Sequence, residues 1–319
     1  MVINLKLGNK FIKNKLVLAP MIKFSDHAFR ICSLNQGAGL VYTPKYHVNA
    51  LFNSFEKFAS DFKFPPEEHP TVLQLIGRDI RTFKHILDKL SSFSHDFIDL
   101  NLCCPSPEAM HDEIGGFLLK QPEKIREIIS TIIKYSDVPV SAKIRIGWDP
   151  ISINAVKVAK ILEHEGVEFL TVHGRTVTEN YERENNLNVI AQVKKSVNVP
   201  IIGNGDIIDG KTAQLLQQRT RCDLLMIGRA AVGNPFIFDS IAGYLKTKRE
   251  ILPSKKDYHQ FVFDYVHLLK KYEPNLYDNV TKLKEHLTRM LRFNLLENIK
   301  KEVISNLTNT SDLEKIIKK

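Results

Sequence analysis

The chain has 319 residues, of which 43% are hydrophobic and 25% charged, and a net charge of +9. That length suits one large domain plus a smaller one, and the composition excludes general disorder. Its four cysteines, Cys32, Cys103, Cys104 and Cys222, make neither a disulfide framework nor a spaced zinc motif. No stretch approaches the roughly 20 apolar residues of a membrane span, and the first residues lack an apolar signal core. The expectation is a soluble, cytoplasmic protein with reduced thiols.

Eight runs rich in Val, Ile and Leu read as strands: Leu16–Ala19, Leu40–Thr43, Val72–Ile76, Phe97–Leu102, Val140–Ile146, Phe169–His173, Val199–Gly203 and Leu224–Ile227. Most are apolar almost throughout, as parallel strands buried on both faces must be. Stretches between them, such as Glu123–Tyr135, Asn154–Glu165 and Lys211–Gln218, carry helical spacing. Eight strand–helix units over about 230 residues predict a (β/α)8 TIM barrel at residues 1–245. No GxGxxG follows the first strand, which weighs against a dinucleotide-binding sheet.

After about residue 245 the texture changes. Glu250 to Pro253 reads as a linker, and Tyr258–Tyr272 and Val280–Phe293 read as amphipathic helices. Residues 246–319 hold 16 Lys and Arg against 10 Asp and Glu. This region is expected to be a smaller all-helical domain with a basic exterior, suited to a polyanionic partner. A solvated lysine-rich surface would have the same composition.

Polar residues gather where the strands end, which is where barrel active sites lie. Asn204, Gly205 and Asp206 follow the seventh strand, and Gly228 and Arg229 follow the eighth. Barrels bind phosphate with these two loops. Glycine admits backbone N–H groups close to phosphate oxygens, and Arg229 adds charge-assisted bonds. Tight turns alone would also use glycine, but this location favours phosphate. With no metal motif present, the phosphate points to a phosphorylated cofactor, and FMN would lay its ring over the mouth. Lys143 would steady negative charge on the reduced ring, unless it serves a structural ion pair. Gln74 emerges nearby, and Pro20 and Met21 could form an apolar wall. Cys104 follows the fourth strand, so its thiol should face the mouth and could deliver a proton to a reduced C=C bond. Asn101 stands beside it, His173 and Arg175 add a donor and a cation, and Asp99 reads as a structural carboxylate.

Taken together, Leu18–Met21, Asp99–Pro107, Ala142–Gly147, Thr171–Thr176, Asn204–Asp206 and Met226–Arg229 resemble the tRNA-dihydrouridine synthases over about residues 16–240. The resemblance implies that FMN passes hydride to C6 of a tRNA uracil while Cys104 protonates C5. NADPH or NADH would re-reduce the flavin. It implies further that Pro20, Met21, Ile22, Gln74, Lys143 and His173 contact the flavin. Asn204, Gly205, Asp206, Gly228 and Arg229 would hold its phosphate, and Asn101 would lie near the target base. Two departures stand out: Ile22-Lys23 replaces a small residue and glycine, and Cys103 replaces a common glycine.

A stacked base cannot reach a flavin, so the uridine must be extruded into the mouth. Arg175, together with Lys282, Arg289 and Arg292 of the basic helices, is expected to engage the tRNA, with the protein acting as a monomer. The rival reading is an FMN-dependent dihydroorotate- or dihydropyrimidine-type dehydrogenase, which needs no basic helical tail. A non-catalytic RNA-binding barrel is a third, and it would be colourless.

Overall fold

The computed structural model describes residues 5–179 and 183–273, together with Lys284 and Thr288. It opens on a hairpin, β1 (Leu5–Leu7) and β2 (Lys10–Ile12). Eight parallel strands follow: β3 (Leu16–Leu18), β4 (Leu40–His47), β5 (Thr71–Ile76), β6 (Phe97–Leu102), β7 (Val140–Arg145), β8 (Phe169–His173), β9 (Ile201–Asn204) and β10 (Leu224–Ile227). Sequence neighbours pair in turn, and β10 returns to β3 to close the barrel. The expected (β/α)8 architecture is therefore present.

Each strand has two buried faces, and period-two alternation gives them different tasks. On β6, Ile98, Leu100 and Leu102 join the apolar layer between strands and helices, together with Leu170 and Val172 of β8. The other register carries Phe97, Asp99 and Asn101. Phe97 belongs to the barrel-interior cluster with Tyr42, Val72, Phe169, Ile202 and Met226. Leu7 and Ile12 of the hairpin enter this same cluster, so the β1–β2 turn plugs the end of the barrel opposite the polar rim.

The helices in chain order are α1 (His27–Asn35), α2 (Val48–Ser54), α3 (Ile80–Leu90), α4 (Pro107–His111), α5 (Pro122–Tyr135), α6 (Ala155–Glu165), α7 (Leu187–Ser196), α8 (Gly210–Thr220), α9 (Ile237–Thr247) and α10 (Lys255–Tyr272). Their ends follow ordinary capping chemistry. Asp209 and Thr212 form a reciprocal capping box on α8, and Ser254 and Asp257 do so on α10.

Two elements differ from the sequence reading. Pro44 ends the apolar run of the second strand, yet β4 continues to His47 after a register shift against β5 between Tyr42 and Lys45. Proline lacks the N–H that a regular ladder needs, and a bulge accommodates it while redirecting the following side chains. In addition, α10 does not stand apart from the barrel. Tyr258, Phe261, Tyr265, Val266 and Leu269 pack into a cluster with Phe29 and Cys32 of α1 and Ile237 and Ile241 of α9. The Tyr265 hydroxyl donates to Asp26 Oδ2 at 3.0 Å, and Glu273 accepts from the His27 amide. Of the helix expected at Val280–Phe293, only Lys284 and Thr288 are described, and both are helical; Lys282, Arg289 and Arg292 lie outside the described residues.

Leu269 is fully buried at this junction. Truncation to alanine should cost roughly 2–5 kcal/mol. Hydrogen exchange should then accelerate in α10 before it does in the barrel strands. Unaltered α10 protection would show that the contact contributes little.

Candidate active site

The site is built on the inward register. Above the Phe97 layer, Asp99 accepts from Gln74 Nε2 at 2.8 Å and from Ser141 Oγ at 2.7 Å. Gln74 Oε1 in turn accepts from Asn101 Nδ2 at 2.7 Å. Asn101 Oδ1 then accepts two consecutive backbone amides, Cys103 N at 3.0 Å and Cys104 N at 2.9 Å. A chain of side-chain bonds thus runs from the barrel interior to the turn that carries both thiols. The Cys104 carbonyl also accepts from Gly116 N at 3.0 Å, which fixes the turn from its other side.

These residues line a cavity of about 940 Å³ at the C-terminal mouth of the barrel, large enough for a sizeable cofactor. Pro20, Met21, Ile22, Gln74, Asn101, Cys104, Lys143, His173, Asn204, Gly205, Asp206, Gly228 and Arg229 all border it. Of the expected site residues within the described chain, Arg175 alone does not. It is buried behind the wall and grips Asp206 with two bonds, Nη1 to Oδ1 at 2.9 Å and Nη2 to Oδ2 at 2.6 Å. Lys282, Arg289 and Arg292 lie outside the described residues.

The wall is cationic. Lys23, Lys45, Lys143, Arg145 and Arg229 line the cavity against one carboxylate, Asp206, which is already bound by Arg175 and, at 3.3 Å, by Arg229. Such a field suits an anionic ligand. Lys143 Nζ lies 3.1 Å from Asn204 Oδ1 and 3.2 Å from Cys103 Sγ. Burial, followed by Lys143 and Arg145, holds the His173 imidazole well below its usual range. It is therefore neutral at physiological pH, with one N–H and one acceptor nitrogen.

The glycines of the two loops expected to bind phosphate answer to different constraints. Gly205 has φ +132, and a Cβ there would lie 2.4 Å from Asn185 Nδ2, so protein geometry alone demands glycine. At Gly228 a Cβ would meet nothing closer than Ala19 Cβ at 3.5 Å. The protein leaves room there for a ligand group, on the edge of the cavity.

Arg145 and Lys45 are among the lining residues that fell outside the sequence-predicted site. Arg145 Nε donates to Cys103 O at 2.9 Å and its Nη1 to Thr176 O at 2.6 Å, so it braces the loops after β6 and β8. Lys45 Nζ lies 2.8 Å from Cys104 Sγ. Burial pushes this thiol up, but the bonds from Lys45 and Ser106 outweigh it and leave the thiol below its ordinary value. Only the continuation of β4 beyond Pro44 brings Lys45 there.

Comparison with known proteins places this architecture. The model of the dihydrouridine synthase family matches residues 17–316. The tRNA-dihydrouridine synthase B of Pseudomonas aeruginosa is 34% identical over 242 residues, covering 76% of this chain and 73% of that protein. That of Proteus vulgaris is 35% identical over 249 residues, 78% of this chain and 77% of the relative. That of Pasteurella multocida is 30% identical over 269 residues, 84% and 81%. Among solved structures, a 2-naphthoyl-CoA reductase complex superposes with TM-score 0.59 at 13% identity, over 75% of this chain and 51% of that one. This last likeness is one of fold alone.

The protein is a TIM-barrel oxidoreductase. The chain belongs to the dihydrouridine synthase family, whose model spans nearly all of its length.

Burial raises the Asp99 carboxyl to about 7, against the pull of Ser141, Gln74 and Lys143. An unfolded aspartate titrates near 3.9, so folding takes up a proton between these values. The contribution to stability is complete below about pH 4 and is lost as pH climbs through about 7. Asp99→Asn cannot ionise. Over that window the wild type should lose on the order of a few kcal/mol relative to the variant in denaturant unfolding. Parallel pH profiles would show that folding leaves the Asp99 carboxyl at its unfolded pKa.

Proposed function

We propose that this protein reduces the C5=C6 bond of a uridine in transfer RNA to 5,6-dihydrouridine, with FMN in the barrel mouth and NADPH or NADH as reductant. The observation that carries the reading is the placement of one partly buried thiol, Cys104, at the edge of a cationic cavity. The names of the relatives supply the substrate class.

FMN, when bound, would supply the hydride that the uracil takes up at C6. The chain does the rest. The Asn204–Asp206 and Gly228–Arg229 loops would hold its phosphate, with Arg175 keeping Asp206 turned toward Arg229. Pro20, Met21 and Ile22 wall the ring. Their backbone is set by Ser25, whose Oγ accepts from Met21 N at 2.9 Å. Lys143 would offer a positive charge to the reduced ring, and neutral His173 would offer a hydrogen bond without adding charge. Asn101 aims the thiol, and Cys104 gives its proton to C5 as hydride arrives at C6. The base is extruded to reach this point.

Residues 1–245 form the catalytic unit in this reading, and residues 246–319 the unit that holds tRNA. Lys282, Arg289 and Arg292 engage phosphates, and α10 anchors this unit to the barrel through α1. The protein works as a monomer in the cytoplasm. Among the described residues, no helix is long and apolar enough to cross a membrane.

Cys104→Ala should retain FMN and its reduction by NADPH but lose about 10²- to 10⁴-fold in dihydrouridine formation, the usual contribution of a positioned acid. Mass spectrometry of tRNA from single-turnover reactions reads this directly, and undiminished product would remove Cys104 from the mechanism. Gly228→Ala puts a methyl group into the proposed phosphate cradle, so purified protein should carry much less yellow flavin per mole. Full occupancy would place the phosphate elsewhere.

A further inference from the structure

The cavity holds two thiols, each met by its own lysine. Lys143 contacts Cys103, but the same ammonium also bonds Asn204 on the cavity wall. Lys45 is different. Its ammonium donates to Cys104 Sγ at 2.8 Å, and its backbone sits just beyond the β4 register shift against β5. Ser106 Oγ, at 3.4 Å, is the other polar neighbour of this sulfur.

We infer that Lys45 is a positioning residue for proton delivery: its ammonium stabilises the Cys104 sulfur as negative charge develops there. The inference rests on the reading of Cys104 as the acid. When the S–H bond breaks, the proton forms the new C5–H bond, using the electron pair that hydride addition at C6 pushes onto C5. The S–H electrons stay on sulfur. Lys45 remains an ammonium throughout, and its N–H···S contact strengthens from a bond to a neutral thiol into a charge-assisted one. Water entering through the open mouth reprotonates the sulfur after product leaves.

Most of the other charged groups around the cavity have identified partners, and Lys23 of the loop after β3 also lines it. Arg145 donates to the Cys103 and Thr176 carbonyls. Arg229 bonds Asp206. Asp99 lies one layer down, held by Gln74 and Ser141. On the segment that follows Cys104, Asp112 pairs with His47 and His111, and Glu113 with Arg78. His173 is neutral, as described above. Lys45 is thus the cation whose position is defined by this sulfur. The lowered proton affinity of Cys104 agrees with that geometry.

The test follows alkylation of Cys104 by iodoacetamide across pH in the FMN-loaded enzyme. Fragmentation mass spectrometry distinguishes Cys104 from Cys103 within their shared peptide. Thiolate is the reactive form, so the midpoint reports the thiol's proton affinity. In Lys45→Met the midpoint should rise by about one pH unit, which makes alkylation near neutrality about tenfold slower. Lys45→Arg, which keeps a cationic donor, should restore most of the rate. Reduction of tRNA in a single turnover should slow in Lys45→Met, and its alkaline limb should move to higher pH. A purely structural lysine would shift neither profile. An unchanged midpoint in Lys45→Met overturns the inference while Cys104 keeps its role as acid. A fully active Cys104→Ala enzyme overturns that role, and the function inferred for Lys45 falls with it.

Discussion

The carboxamide of Asn101 is the constraint on which the site depends. One oxygen accepts the amides of both Cys103 and Cys104, and the amide nitrogen is tied through Gln74 to Asp99. A thiol on a free loop would sample many directions. Here the sulfur inherits the precision of a barrel strand, because the residue that aims it belongs to β6. Catalytic geometry placed on rigid elements in this way needs little reorganisation as the reaction proceeds.

Charge is distributed to match. The described part of the mouth is lined by basic side chains, and its one acidic member is neutralised by two arginines. Desolvation and these neighbours keep His173 uncharged. The cations are held by specific acceptors, among them the Asn204 side chain and the Cys103 carbonyl, and do not form a diffuse patch. An anion entering this space would find donors already oriented, which is the physical content of preorganisation.

Much of this was legible in the sequence. Parallel strands buried on both faces leave unbroken apolar runs, so all eight strands could be found, and the residues at their ends mark the mouth. What stayed hidden had physical causes. Pro44 breaks the apolar run of the second strand, and no local pattern announces that the ladder resumes after a bulge to carry Lys45 inward. Arg175 sits among rim residues in sequence, but its two-pronged bond to Asp206 is a long-range pairing that spacing cannot show. The apolar stripe of α10 looks the same whether it faces a domain of its own or, as here, the first helix of the barrel. Gly205 and Gly228 are alike as letters, yet one answers to backbone conformation and the other to empty space.

The hairpin plug has a kinetic consequence. With Leu7 and Ile12 filling the lower end of the described barrel, a reductant and a nucleobase would both have to enter through the polar mouth. Under the proposed chemistry, a nicotinamide and a uracil would need the same face of the same ring, and so they must take turns. Oxidised pyridine nucleotide has to depart before the RNA can commit. The enzyme would then operate as a turnstile, with flavin reduction and base reduction separated in time by the architecture of the barrel floor.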